Sequence, residues 1–303
     1  MIIPPYLKKG STLAITATAR FADENQVMIS KQLLEQQGFN VMVAPNVSHA
    51  YKRFAGDDAE RLHAFQLLLD DEKIDAIWLA RGGYGTVRII DDIDWTKFLK
   101  HPKWMIGFSD FTAVHLKLQQ LDVASIHACT FAQVQKFGIA DENVITTIEM
   151  LLNQNSKYLF KSSVHNKTGR CDGKIIGGNL SLICNSMGTP TQIKTAGSIL
   201  MLEDCDEYMY HYDRMLHQLK RAGLLKNLNG LIIGESTSKP EPDDIDFGYS
   251  LEEMVLDACK EYDYPICFNA PFGHTERNYA LCLNMKHSLI VEDGEVSIIQ
   301  NEE

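Results

Sequence analysis

The sequence contains no C-x-x-C pair, no basic run, no internal repeat and no low-complexity tract. No window approaches the roughly 18 apolar residues that a bilayer-spanning helix requires. Each absence excludes a class. The seven cysteines, at positions 129, 171, 184, 205, 259, 267 and 282, are odd in number and scattered. They read as reduced, mostly buried thiols in a cytosol, with no support for a zinc-cysteine site. A net charge of −11 without a basic cluster argues against a nucleic-acid partner, whose phosphates are bound by grouped Lys and Arg. The opening segment Met1 to Gly10 is not a signal peptide: its apolar stretch is short and broken by Pro4 and Pro5, and Lys8 and Lys9 follow it. A cytoplasmic protein without a membrane or nucleic-acid partner is expected.

What is present is ample for a core. Of 303 residues, 45% are hydrophobic and 23% charged, which suits one large domain or two ordinary ones. The first half alternates strand and helix signals. Strands are predicted at Thr12–Ala17, Asn40–Ala44, Asp75–Ala80, Trp104–Phe108 and Val123–Ala128, and helices at Asn25–Gln37, Asp57–Leu69 and Phe111–Leu121. Such alternation predicts a mostly parallel sheet covered by helices on both faces. A helix at Glu142–Leu152 leads into a polar stretch. Beyond it come strand-like runs at Lys174–Ile176, Ser198–Leu202, Gly230–Gly234 and Ser288–Val291, with helices near Tyr210–Ala222 and Leu251–Glu261. The predicted organisation is an N-terminal α/β domain (1–150), a linker (151–170) and a smaller C-terminal α/β or partly barrel-like domain (171–303).

Four segments carry chemistry. In Gly107-Phe108-Ser109-Asp110-Phe111 an apolar strand ends and a helix begins within two residues, at the sheet edge where open α/β folds place ligands. A serine on that turn can be a nucleophile, although Phe111 replaces the second Gly of the G-x-S-x-G elbow. The same Ser-Asp pair also reads as a helix N-cap. Arg81-Gly82-Gly83-Tyr84-Gly85 ends a neighbouring strand with backbone free to approach an anion, and lacks the G-x-G-x-x-G spacing of a dinucleotide fold. Leu202-Glu203-Asp204-Cys205-Asp206-Glu207 closes a strand with carboxylates, of which Glu203 can orient a histidine. No metal-ligand spacing links them to His211, Asp213 and His217, so no metal or cofactor is expected. Pro271-Phe272-Gly273-His274 presents a histidine in a loop, while His115 and His127 near the sheet edge are rival bases.

Taken with Gly177-Gly178-Asn179-Leu180, these segments resemble the LD-carboxypeptidase family of serine peptidases over nearly the whole chain. The resemblance implies a Ser-His-Glu triad of Ser109, His274 and Glu203. It implies an oxyanion hole from the backbone N–H groups of Asp110 and Gly83, with Arg81, Tyr84 and Asn179 as substrate-binding candidates. It further implies a homodimer that removes the terminal D-alanine from murein tetrapeptides in cytoplasmic cell-wall recycling. One departure stands out: Ala280-Leu281-Cys282-Leu283-Asn284 runs where members often carry Pro-x-Gly. Two alternatives share the fold, a microcin-immunity-type peptidase acting on peptidyl-nucleotides and a non-catalytic binding module. An aromatic-bearing loop would favour the former, yet Trp78, Trp95 and Trp104 all lie in the first half.

Overall fold

Two sheets organise the chain, each with its own set of helices. The computed structural model describes residues 1–154, 157–241 and 245–301. Two units emerge, Met1–Asn155 with Tyr279–Cys282, and Ser156–Asn278 with Leu283–Glu303.

The first unit holds a six-stranded sheet in the order Leu281–Leu283, Ser125–His127, Trp104–Gly107, Ala76–Leu79, Thr12–Thr16, Asn40–Val43. The last five pair in parallel. Every residue of Ala76–Leu79 and Trp104–Gly107 is buried, which is why these segments read as continuous apolar runs and not as alternation. The helices start where side chains satisfy their free N–H groups. Asp23 accepts from Gln26 ahead of Glu24–Gln36, and Asp57 with Glu60 forms a capping box at Asp58–Asp70. The far end of that second helix is closed by Lys103, a 1% exposed side chain that sequence reasoning did not single out. Its Nζ donates to the carbonyls of Leu68 and Leu69 at 3.1 Å and of Asp71 at 2.6 Å.

The second unit holds a seven-stranded sheet in the order Ile266–Gly273, Gly230–Glu235, Ile199–Glu203, Gly169–Asn179, Lys286–Val291, Glu295–Gln300, Lys157–Lys161. Its first four strands are parallel and its last four antiparallel, because the 11-residue strand Gly169–Asn179 belongs to both runs. Residues Ile175–Asn179 pair with Ile199–Glu203, and Gly169–Lys174 pair with Lys286–Val291. The molecule is thus mixed α/β, with a mostly parallel helix-flanked sheet and a second α/β unit, as the strand–helix alternation predicts.

Two boundaries differ from the sequence reading. The stretch 151–170, read as a linker, holds the strand Lys157–Lys161, paired with Glu295–Gln300; within it, Asn155 and Ser156 lie outside the described residues. Polar composition hid this strand because it is a sheet edge with alternate residues exposed. The Leu281–Leu283 strand closes an edge of the first sheet although it lies deep in the second half of the sequence. Just beyond it Asn284 adopts φ +66. Asn tolerates this left-handed conformation better than other side-chain-bearing residues, so it makes a turn here without the glycine of Pro-x-Gly.

Replacing Lys103 with Met keeps the apolar stem and leaves three carbonyls short of a donor. We expect a loss of about 1–3 kcal/mol, read as a lower midpoint in urea denaturation with the slope unchanged.

Candidate active site

Each unit contributes one half of the predicted chemistry, and each half sits at the carboxyl ends of parallel strands. In the first unit the chain leaves Trp104–Gly107 and turns through Ser109 with φ +61. This left-handed backbone is rare for a residue with a side chain and marks a strained turn. A 3₁₀ turn, Ser109–Phe111, then runs into the helix Thr112–Gln120, and neither has a side-chain cap. The helix-cap reading of Ser109 therefore fails, and its side chain is left half-exposed at the elbow.

Gly82 lies directly against it. A Cβ at position 82 would stand 3.0 Å from the Ser109 Cβ and 3.1 Å from its Oγ. Gly83 follows with φ +122, and a Cβ there would meet the Arg20 Cβ at 3.0 Å. The elbow and the glycine loop are joined by Asp110. Its carboxylate is 1% exposed and accepts from the Thr86 N–H at 2.8 Å. Burial pushes its pKa up, against the opposing hydrogen bonds from Thr86 and Gly85 and the charge of Arg61. The Gly83 N–H donates no backbone hydrogen bond among the described residues, the condition under which it can serve an oxyanion. Of the other candidates here, Tyr84 is 57% exposed. Arg81 is half-buried, its pKa lowered by burial and by neighbouring Arg20.

His115 is excluded as a base. Its ring is buried, with Nδ1 at 2.8 Å from the Ser125 hydroxyl and Nε2 at 2.8 Å from the Gly107 carbonyl, and burial lowers its pKa to about 3. It braces the strand that leads to Ser109.

In the second unit, Glu203 ends the strand Ile199–Glu203, and His274 directly follows the strand Ile266–Gly273. The strand Gly230–Glu235 lies between them. Gly234 makes the meeting possible, since a Cβ there would come within 2.2 Å of the Phe272 carbonyl oxygen and 3.1 Å of the Glu203 Cβ. His274 Nδ1 and Glu203 Oε2 are 2.5 Å apart, and the Glu203 side chain is fully buried. Burial opposes charge on the ring. The attraction of Glu203, with hydrogen bonds from the ring to Cys205 and Glu203, outweighs it and raises the His274 pKa to about 10. Because the folded value lies above the ordinary 6.5, the pair's stabilisation is fully present below about 6.5. It is lost as pH rises through about 10.

Asp204, next in sequence, has a different task. It accepts from Asn179 Nδ2, from Ser181 N–H and from Cys205 N–H, each at 2.8 Å. Burial and the neighbouring Glu203 raise its pKa to about 6. Asn179 in turn caps the helix Leu180–Ser186 and is 3% exposed. Its visible work is to anchor the carboxylate turn. His211 pairs with Glu207, and His217 lies 3.6 Å from Asp213.

The structure thus gives a serine at a strained strand-to-helix elbow and, in the other unit, a buried acid–histidine pair. Comparison with known proteins gives the family. Residues 13–128 match the LD-carboxypeptidase N-terminal domain and residues 172–289 the LD-carboxypeptidase C-terminal domain. The chain belongs to the LD-carboxypeptidase family. It is 30% identical over 292 residues to a probable murein peptide carboxypeptidase of Bacillus subtilis, covering 94% of this chain and 91% of that protein. The crystal structure of a muramoyltetrapeptide carboxypeptidase from Oxalobacter formigenes superposes with a TM-score of 0.86 at 25% identity, covering 96% and 99% of the two chains. The microcin C7 self-immunity protein MccF, solved with aspartyl sulfamoyl adenosine, gives 0.87 at 18% identity over 99% of each chain. That likeness shows the fold alone.

Replacing Glu203 with Gln removes the charge that holds the His274 proton and leaves burial, which acts the other way. In a ring-proton NMR titration the His274 midpoint is expected to fall from about 10 to the ordinary imidazole value or below.

Proposed function

We propose that this protein is a serine LD-carboxypeptidase that releases the terminal D-alanine from murein tetrapeptides during cytoplasmic cell-wall recycling, acting as a homodimer. The observation that carries the reading is the buried Glu203–His274 hydrogen bond of 2.5 Å, a base oriented by a carboxylate. The elbow at Ser109 and the family's carboxypeptidase relatives support it. Dimerisation and location rest on the family resemblance.

In this reading Ser109 Oγ attacks the carbonyl of the diamino acid. His274 takes the serine proton and passes it to the departing D-alanine amine. Glu203 holds the ring tautomer and stabilises the imidazolium. The N–H groups of Asp110 and Gly83 receive the oxyanion, where losing one donor lowers the rate by about 10²–10³. Water, activated by the same histidine, then releases the tripeptide and restores Ser109. A base whose pKa lies well above 7 is mostly protonated at neutral pH, so kcat/KM is expected to climb from pH 7 towards pH 10. In Glu203→Gln the rising limb moves to lower pH and its plateau falls by about 10⁴.

One observation favours a second reading, cleavage of a peptidyl-nucleotide. Phe247 and Tyr249 have ring centroids 6.2 Å apart, and Tyr249 is 64% exposed, the aromatic-bearing loop that the tryptophan positions did not reveal. Offered a tetrapeptide, a pentapeptide and a peptidyl-adenylate, the purified protein is expected to release D-alanine from the tetrapeptide. Turnover of the adenylate alone would establish the second reading. Ser109→Ala should abolish release while the thermal unfolding midpoint is unchanged, and EDTA should leave the wild-type rate unaltered. Retained turnover in that variant would remove Ser109 from the mechanism.

A further inference from the structure

A carboxypeptidase differs from an endopeptidase by reading a terminal carboxylate, and the first unit holds a cleft chemically suited to that group. It has a volume of about 480 Å³ and is lined by Arg20, Lys52, Arg53, Phe54, Gly83 and Tyr84. Three of the six are cations and none is acidic, in a chain whose net charge is −11.

The neighbouring cations are already engaged by a shared carboxylate. Arg61 and Arg88 pack over the Phe54 ring at 4.7 and 5.7 Å, and both pair with Asp58. By contrast, Arg20, Lys52 and Arg53 form no ion pair among the described residues. Arg20 goes further: its Nε is buried and has no hydrogen-bond acceptor. A buried donor on a guanidinium is costly to leave unmade, so the protein itself supplies a reason for an anion to enter. Arg81 beside it adds like charge and no acceptor.

Position decides what that anion is. Arg20 packs on Gly83, and Gly82 packs on the Ser109 side chain, so the cleft begins about one residue away from the elbow. A peptide advances roughly 3.5 Å per residue, which places the carboxylate of the residue just beyond the attacked carbonyl within reach of the Arg20 guanidinium. Lys52 and Arg53 are exposed, and at that range their contribution is a salt-screened attraction.

We propose that Arg20 binds the terminal carboxylate of the leaving residue and that the cationic cleft around it confines the enzyme to chain ends. The inference rests on the reading of Ser109 as nucleophile. It predicts that a tetrapeptide with a free C-terminus is preferred over its C-terminal amide, and that this preference belongs to Arg20.

The experiment compares kcat/KM for the two peptides in wild type, Arg20→Ala and Arg20→Lys, with thermal unfolding to verify folding. Loss of one charge-assisted contact corresponds to roughly 10- to 100-fold. The acid-over-amide ratio should fall by that factor in Arg20→Ala and be partly kept in Arg20→Lys. An undiminished ratio in a folded Arg20→Ala protein overturns the proposal, as does a wild type that cleaves both peptides equally. A calorimetric arm separates this inference from the mechanism. If wild type releases no D-alanine, binding of the same peptides to Ser109→Ala and to Ser109→Ala/Arg20→Ala still decides. A preference for the acid that vanishes with Arg20 upholds the cleft assignment; one that persists, or no binding of either peptide, sinks it.

Discussion

A carboxylate taken out of water must find donors or a counter-charge, and this molecule sets three such groups at the turns to which the proposed chemistry is assigned. Asp110 is answered by the Thr86 N–H, Asp204 by three donors, and Glu203 by the His274 ring. Desolvation alone would leave each carboxylate several kcal/mol out of balance. The turns are therefore held where the donors are, and loops that would otherwise be soft become rigid mounts. Asp110 ties the serine elbow to the glycine loop, and Asp204 ties the Glu203 strand end to the helix capped by Asn179. In each unit a residue of the proposed triad sits next in sequence to the structural carboxylate that fixes it.

Adjacency of this kind explains what was legible in the sequence. The strand–helix alternation of the first half, and Ser109 and Glu203 as residues on strand-end turns, follow from apolar runs broken by polar clusters; the strand Ile266–Gly273 that delivers His274 does not, because Pro271 and Gly273 read as a loop. The positive φ at Ser109 does not, since nothing local distinguishes a capping serine from a strained one. The division of labour between Glu203 and Asp204 is equally hidden. Both are buried acids at one strand end, and only the strand order shows that the first can reach a histidine two strands across.

Other features were illegible for a different reason: their partners are remote in sequence. Lys103 looks like an ordinary charged residue before an apolar strand, yet its ammonium closes a helix more than 30 positions earlier. The Lys157–Lys161 strand has the composition of a linker and is defined by its pairing with residues near the C-terminus. Arg20 follows an apolar run with no motif around it, and acquires meaning through Gly83 and an acceptor it lacks.

The strand Leu281–Leu283 has a consequence for how the chain is made. The first sheet takes an edge strand from residues that leave the ribosome after its other five strands and after most of the second sheet. Until then Ser125–His127 is left with an open side, and unpaired strand edges in partly folded chains invite association with other chains. Completion of the serine-bearing unit is thereby deferred until the histidine-bearing segment has also emerged. A nascent chain interrupted before that point carries a serine elbow on an unfinished sheet.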